Sequence, residues 1–123
     1  NMKKIILSIV GLILSTGVLA ETNAGAGQKW YGPFTITKVA KYWDGGVRMS
    51  VHVLETPETP CDITNTEKKV SYWNNPNAET FADSLFSAAA TAQAQEKKVM
   101  ILMDKTCHTT YGLNIHGVEI LSD

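Results

Sequence analysis

The chain has 123 residues, with eleven Lys and Arg against twelve Asp and Glu, three His and two Cys, for a formal net charge of −1. That length supports one small domain around a single core. The slightly acidic balance argues against nucleic acid or anionic lipid as a main partner.

From the N-terminus, Met2, Lys3 and Lys4 precede an apolar run over residues 5–14, and Val18, Leu19 and Ala20 stand before Glu21. A cationic start, an apolar segment short for a bilayer and small residues at a cleavage position form the pattern of a secretory signal peptide over residues 1–20. The competing reading, an uncleaved anchor, is weakened by Ser8, Ser15, Thr16 and two glycines in the segment. A lipoprotein would carry a cysteine where Glu21 stands. The expectation is an exported protein, periplasmic or extracellular, with no stable membrane anchor after cleavage. Lys3 and Lys4 leave with the segment, so eleven basic residues become nine against twelve acidic ones.

Residues 21–29 are small and polar and lack apolar periodicity, which predicts a flexible leader. A single domain is expected over residues 30–123. Its order begins at Trp30 and Tyr31, and Gly32 with Pro33 is expected to turn the chain into the first strand. Phe34, Ile36 and Val39 supply that strand's apolar positions, and the phase shift between Ile36 and Val39 predicts a bulge. Asp44, Gly45 and Gly46 then offer turn chemistry before Val47, Met49, Val51 and Val53, which alternate with Arg48, Ser50, His52 and Leu54. This pattern predicts a β-hairpin. Pro57 and Pro60 end its second strand ahead of Cys61, and residues 68–73 predict a short third strand closed by Asn74, Asn75, Pro76 and Asn77.

After the third strand the period changes. Phe81, Leu85, Ala88, Ala89 and Ala92 recur at three- and four-residue steps, an apolar stripe for a helix over about residues 78–94. Asn77 is its expected N-cap, and Glu79 and Asp83 place negative charge near the positive end of its dipole. Residues 99–103 are apolar without a break, which predicts a strand buried on both faces. Its second cover is either the helix or another copy of the chain, meeting Met100 and Leu102. In the last strand, residues 111–121, Leu113 and Ile115 hold one phase and Val118 and Ile120 the other, and Gly117 between them predicts a bulge or a corner. The order is strand, strand, strand, helix, strand, strand. It predicts a mainly β (α+β) domain, a five-stranded OB-like barrel with one helix between strands three and four.

Cys61 and Cys107 are the only cysteines, and an even count in an exported protein predicts a disulfide. A bridge over a loop of that length is worth about 4 kcal/mol on the chain-entropy argument. There is no CxxC and no second ligand cluster beside either cysteine, so no metal site is expected.

Taken together, the aromatic-led segment over residues 30–39, Cys61, the alanine-rich helix from Phe81 to Ala94, the Lys97 to Met103 strand and Cys107 resemble a group of small exported proteobacterial proteins of unknown function. The helix-to-strand arrangement is also similar to the B subunits of AB5 toxins, OB-fold pentamers that bind cell-surface glycans. That likeness implies an OB fold and a possible ring. It departs at Cys61, which follows the second strand instead of opening the domain, and no glycan-binding residue carries over by position.

His52, His108 and His116 are too scattered for metal-binding spacing, and no HExxH, GxSxG or phosphate loop occurs. His52, alternating with apolar strand positions, is read as solvent-facing. His108 beside Cys107 suggests an activated thiol only if Cys107 is unbridged. Asp62, Glu67, Asp104 and Glu119 are candidates for a hydrolytic carboxylate pair but are read as ordinary surface charges. The aromatics offer more. Trp43, Tyr72 and Trp73 stand where strands meet loops, and with Asn74 they form a candidate ligand site, rings stacking on sugars and amides bonding hydroxyls. The competing reading has the tryptophans plugging an end of the barrel. The expected function is a non-catalytic binding domain of unknown ligand, without cofactor. The alternatives are a ring-forming, glycan-binding protein like a toxin B subunit, and an inhibitor or accessory subunit for a protein partner.

Overall fold

A computed structural model describes residues 22–75 and 79–123. The signal-peptide reading, the Asn77 cap and the start of the predicted helix at residue 78 lie outside the described residues. The chain is mainly β: β1 (Lys29–Phe34), β2 (Ile36–Trp43), β3 (Val47–Val53), α1 (Asp62–Glu67), β4 (Lys69–Tyr72), α2 (Glu79–Ala94), β5 (Val99–His108) and β6 (Gly112–Ile120). The strands form one mixed sheet of order β1-β5-β6-β4-β3-β2. Every neighbouring pair is antiparallel except β4 and β6, which run parallel across the α2–β5 crossover.

Six strands replace the expected five because the predicted first strand is two. Only Thr35 separates β1 from β2, yet the two occupy opposite ends of the order. The ladder does not close between them; the join is covalent. At this pivot the chain leaves the ladder, and its polar groups need other partners. Glu55 supplies one, its carboxylate accepting from the Thr35 N–H at 2.7 Å and from the Thr35 hydroxyl at 2.9 Å. The Leu54 N–H donates to the Thr35 carbonyl at 2.9 Å. Burial on its own raises the Glu55 carboxyl, but the Thr35 bonds and nearby Lys98 outweigh it and hold the group below its ordinary value.

Gly32 and Pro33 do not turn the chain into a strand. They lie inside β1, where the register against β5 shifts between Tyr31 and Phe34. Gly32 has φ +132°, and a Cβ there would come within 2.8 Å of the Val99 carbonyl oxygen, so the bulge needs glycine. The bulge expected near Ile36 is present, with a register shift between Ile36 and Lys38. So is the hairpin at Asp44–Gly46, where the Asp44 N–H donates to the Gly46 carbonyl.

The second helix, α1, had no expectation. It is a short helix of mostly polar residues, with Ile63 packed against the core, closed by Lys68 in the left-handed conformation with its N–H on the Thr64 carbonyl. Asn65 braces the preceding loop, its Oδ1 accepting from the Thr59 N–H at 2.7 Å and its Nδ2 donating to the Thr59 carbonyl at 2.6 Å. Buried Thr64 accepts the Leu113 N–H at 2.8 Å and thereby ties α1 to β6. The disulfide joins Cys61, just ahead of α1, to Cys107 on β5, with Cα atoms 5.5 Å apart.

The core takes Met49, Val51 and Val53 from β3, Val99, Ile101 and Met103 from β5, and Leu113 and Ile115 from β6. From α2 come Ala82, Leu85, Ala89 and Ala92, three of them alanines that let the helix lie close. Leu102 faces the other side of β5. It pairs with Trp30 on one strand and Gly117 on the next, and the Trp30 ring reaches across the bare Gly117. The register skips His116 between the Leu102–Gly117 and Met103–Ile115 pairs, which is the bulge Gly117 foretold. Among the described residues no helix is long and apolar enough to cross a membrane.

Candidate functional site

Three segments converge at one end of the sheet: the β2–β3 turn, the loop after β4 and the β5–β6 turn. Gly46, Val47, Arg48, Tyr72, Trp73, Asn74 and Asn75 line a recess of about 260 Å³ between the first two. The third backs it with rings. Trp73 stacks on Tyr111 at a centroid separation of 6.2 Å and meets His108 edge-on at 4.9 Å. Trp73 Nε1–H donates to the Gly112 carbonyl at 3.1 Å, which fixes the indole in place. His108 Nδ1 accepts the Thr110 N–H at 3.0 Å and so holds the turn that presents Tyr111. The Arg48 guanidinium lies 5.2 Å over the Tyr111 ring, a cation–π contact, and the Tyr111 hydroxyl donates to Asp44.

The loop over residues 73–75 is held by one side chain. Asn114, on β6, is 1% exposed, and its Oδ1 accepts from the Trp73 N–H (3.2 Å), the Asn74 N–H (3.2 Å) and Asn75 Nδ2 (3.1 Å). Its Nδ2 donates to the Asn74 carbonyl at 3.4 Å and to Asp104 Oδ2 at 3.1 Å. A side-chain amide thereby satisfies a loop's backbone groups where no strand can. The same Asp104 oxygen meets His116 Nε2 at 2.7 Å, and Asp104 Oδ1 accepts the Thr106 N–H at 2.7 Å. Burial alone raises the Asp104 carboxyl; the bonds from His116, Thr106 and Asn114 outweigh it and hold the group below its ordinary value. Asp104 is thus no ordinary surface charge. It orients the amide that orients the loop.

Of the sequence-nominated ligand residues, Tyr72, Trp73 and Asn74 meet in the recess and Trp43 stays outside its lining. Tyr72 is 2% exposed and donates its hydroxyl to the Asn75 carbonyl at 2.8 Å, so it braces the loop and offers no stacking face. Trp43, 74% exposed, plugs nothing. Arg48, Tyr111, His108 and Asn114 were not nominated. Alternation alone cannot find Asn114, since its outward position is buried by a loop from elsewhere in the chain. Arg48 carries the one available signal, a charge two residues past a Gly-containing turn and between apolar strand positions.

Elsewhere, Trp30, Phe81, Leu85, Ala88, Leu102 and Val118 line an apolar cleft of about 310 Å³. Leu102 is buried and Met100 half-buried, so little of the proposed interface pair is free. His52 is half-buried, not solvent-facing; burial, then Lys38 and Lys69, lowers its pKa. With Cys107 bridged, the activated-thiol reading of His108 falls away. Among the described residues no group of three or more His, Cys, Asp or Glu is placed to hold a metal. Compared with the models of known protein families and with curated protein sequences, the chain matches none.

Proposed function

We propose that this protein is an exported, non-catalytic binding domain of OB-like architecture whose ligand occupies the recess between the β2–β3 turn and the loop over residues 73–75. The observation that carries this reading is the Asn114 amide: a nearly sealed side chain spends its hydrogen-bonding capacity on fixing Trp73, Asn74 and Asn75 before any ligand arrives. The OB-like part is supported by the Thr35 pivot. Counted as one bent strand, β1 and β2 reduce the sheet to five strands with a helix between the third and fourth. OB folds bind ligands through the loops joining strands one to two and four to five, and the corresponding turns here both adjoin the recess. Export is supported by the residue 1–20 pattern and by the disulfide.

The test is a titration of the purified protein with a panel of neutral and acidic mono- and oligosaccharides, read by backbone amide shifts. Binding at the recess moves residues 46–48 and 73–75 together, and Asn114→Ala abolishes the response while the core signals stay dispersed. A ligand that moves only signals outside the recess overturns the assignment. A second reading, a ring-forming glycan binder resembling toxin B subunits, is favoured by Phe81, 43% exposed at the mouth of the apolar cleft. Light scattering decides it: a pentameric mass that Phe81→Asp dissociates supports the ring, and a monomer at all concentrations removes it.

A further inference from the structure

The recess contains a cation, Arg48, for which the described residues supply no carboxylate. Arg48 sits with its guanidinium between the Tyr111 ring and the β2–β3 turn. A Cβ at Gly46 would lie 2.6 Å from Arg48 Nη1, so the bare glycine makes the space. Nη1 donates to the Val47 carbonyl at 3.3 Å and to the Trp73 carbonyl at 3.5 Å, both long for such bonds. Nε is shielded from solvent and has no partner among the described residues. No carboxylate of the described residues pairs with Arg48. Asp44, on the adjoining turn, is engaged by the Tyr111 hydroxyl instead.

Resting on the reading of the recess as the binding site, we infer that the ligand carries a carboxylate, and that Arg48 receives it side-on through its Nε–Nη2 edge. A guanidinium presents two parallel N–H donors along that edge, which match the two oxygens of a planar carboxylate. The other donor face, Nη1, already points at carbonyls, so the edge without partners is the one a carboxylate fits. Because Nε is shielded from solvent, receiving a carboxylate requires the guanidinium to turn, and the Nη1 contacts at 3.3 and 3.5 Å are the bonds it gives up in doing so. The Tyr111 ring, its centroid 5.2 Å from the guanidinium carbon, favours the cation beside it. Asn74 and Asn75 line the same recess with Trp73; Asn75 Nδ2 is held by Asn114, which leaves the Asn74 side-chain amide and Asn75 Oδ1 to meet hydroxyls. The chemistry is a carboxylate on a hydroxylated frame, as in a uronic acid.

The experiment titrates the purified protein with glucuronate and galacturonate, with glucose and galactose as neutral partners, and with acetate, at constant ionic strength. The readout is the Arg48 Nε–Hε resonance together with the amides of residues 73–75. The expected result is that uronates and acetate move the Arg48 signal, the uronates at least tenfold more tightly than their neutral partners. Arg48→Lys keeps the charge but not the fork, and removes that preference in a folded protein. If the neutral sugars bind the recess as tightly as the uronates with Arg48 unmoved, the carboxylate is overturned and the recess stands. If acetate alone moves Arg48 and no sugar does, the hydroxylated frame is overturned. Silence from every probe at the recess overturns both readings.

Discussion

At the scale of single residues, Asn114 and His52 make different demands on the fold. Replacing Asn114 with Ala leaves the Trp73 and Asn74 N–H groups without their acceptor in a part-buried loop. The expected cost is about 1–3 kcal/mol, read by denaturant unfolding, with faster amide exchange at residues 73–75 as its local sign. His52 acts through pH. Its pKa is lowered in the folded state by burial and by Lys38 and Lys69, so below its ordinary value of 6.5 the unfolded chain binds the proton more readily. Stability therefore falls as pH drops through and below 6.5. His52→Gln should flatten the decline in unfolding free energy measured between pH 7 and pH 5. Asp104 works lower on the scale: its depressed carboxyl stabilises the fold above the ordinary value of 3.8, and that contribution is lost as pH falls through the folded-state pKa. Asp104→Asn should flatten the curve below pH 4.

At the scale of elements, the Gly112 junction is the most exposed to substitution. Gly112 has φ +77°, and a Cβ there would lie 2.5 Å from the Thr64 hydroxyl oxygen and 3.0 Å from the Lys69 carbonyl oxygen. Gly112→Ala should cost about 1–3 kcal/mol in strain and separate α1 from β6, measured as a lower Tm with early loss of α1 protection. The elements that sequence reasoning found are those with periodic patterns: the β2–β3 hairpin from strict alternation, α2 from its alanine stripe, the β6 bulge from the phase change at Gly117. What it missed lacks such a pattern. The split at Thr35 depends on Glu55, twenty residues away, and α1 has a single apolar residue, Ile63, so that the Thr59–Asn65 bonds and Lys68 hold it rather than an apolar stripe. The recess was legible only where rings and amides adjoin in sequence, at Tyr72–Asn75. Arg48 and Asn114 reach it from other strands and Tyr111 from the β5–β6 turn, and only the register of the sheet brings them together.

At the scale of the whole molecule, the Cys61–Cys107 bridge closes a loop across 46 residues, from the approach to α1 to the far end of β5. Loop entropy assigns it about 4 kcal/mol, a large share of what holds a domain of this size folded. Reduction should lower Tm by roughly 15–30 °C, and a fall of only a few degrees in calorimetry with and without reductant would show that the unbridged chain is already confined. The Thr35 pivot governs a different property, resistance to self-addition. The outermost strands of a sheet usually offer unpaired backbone groups on which another chain can polymerise. Here those two strands are tethered end to end, and exposed Lys29, at the far end of β1, and exposed Lys38 on β2 each set a positive charge against an incoming strand. Because Glu55 holds that join through Thr35, seeding a Glu55→Ala protein should shorten the lag before amyloid dye binding.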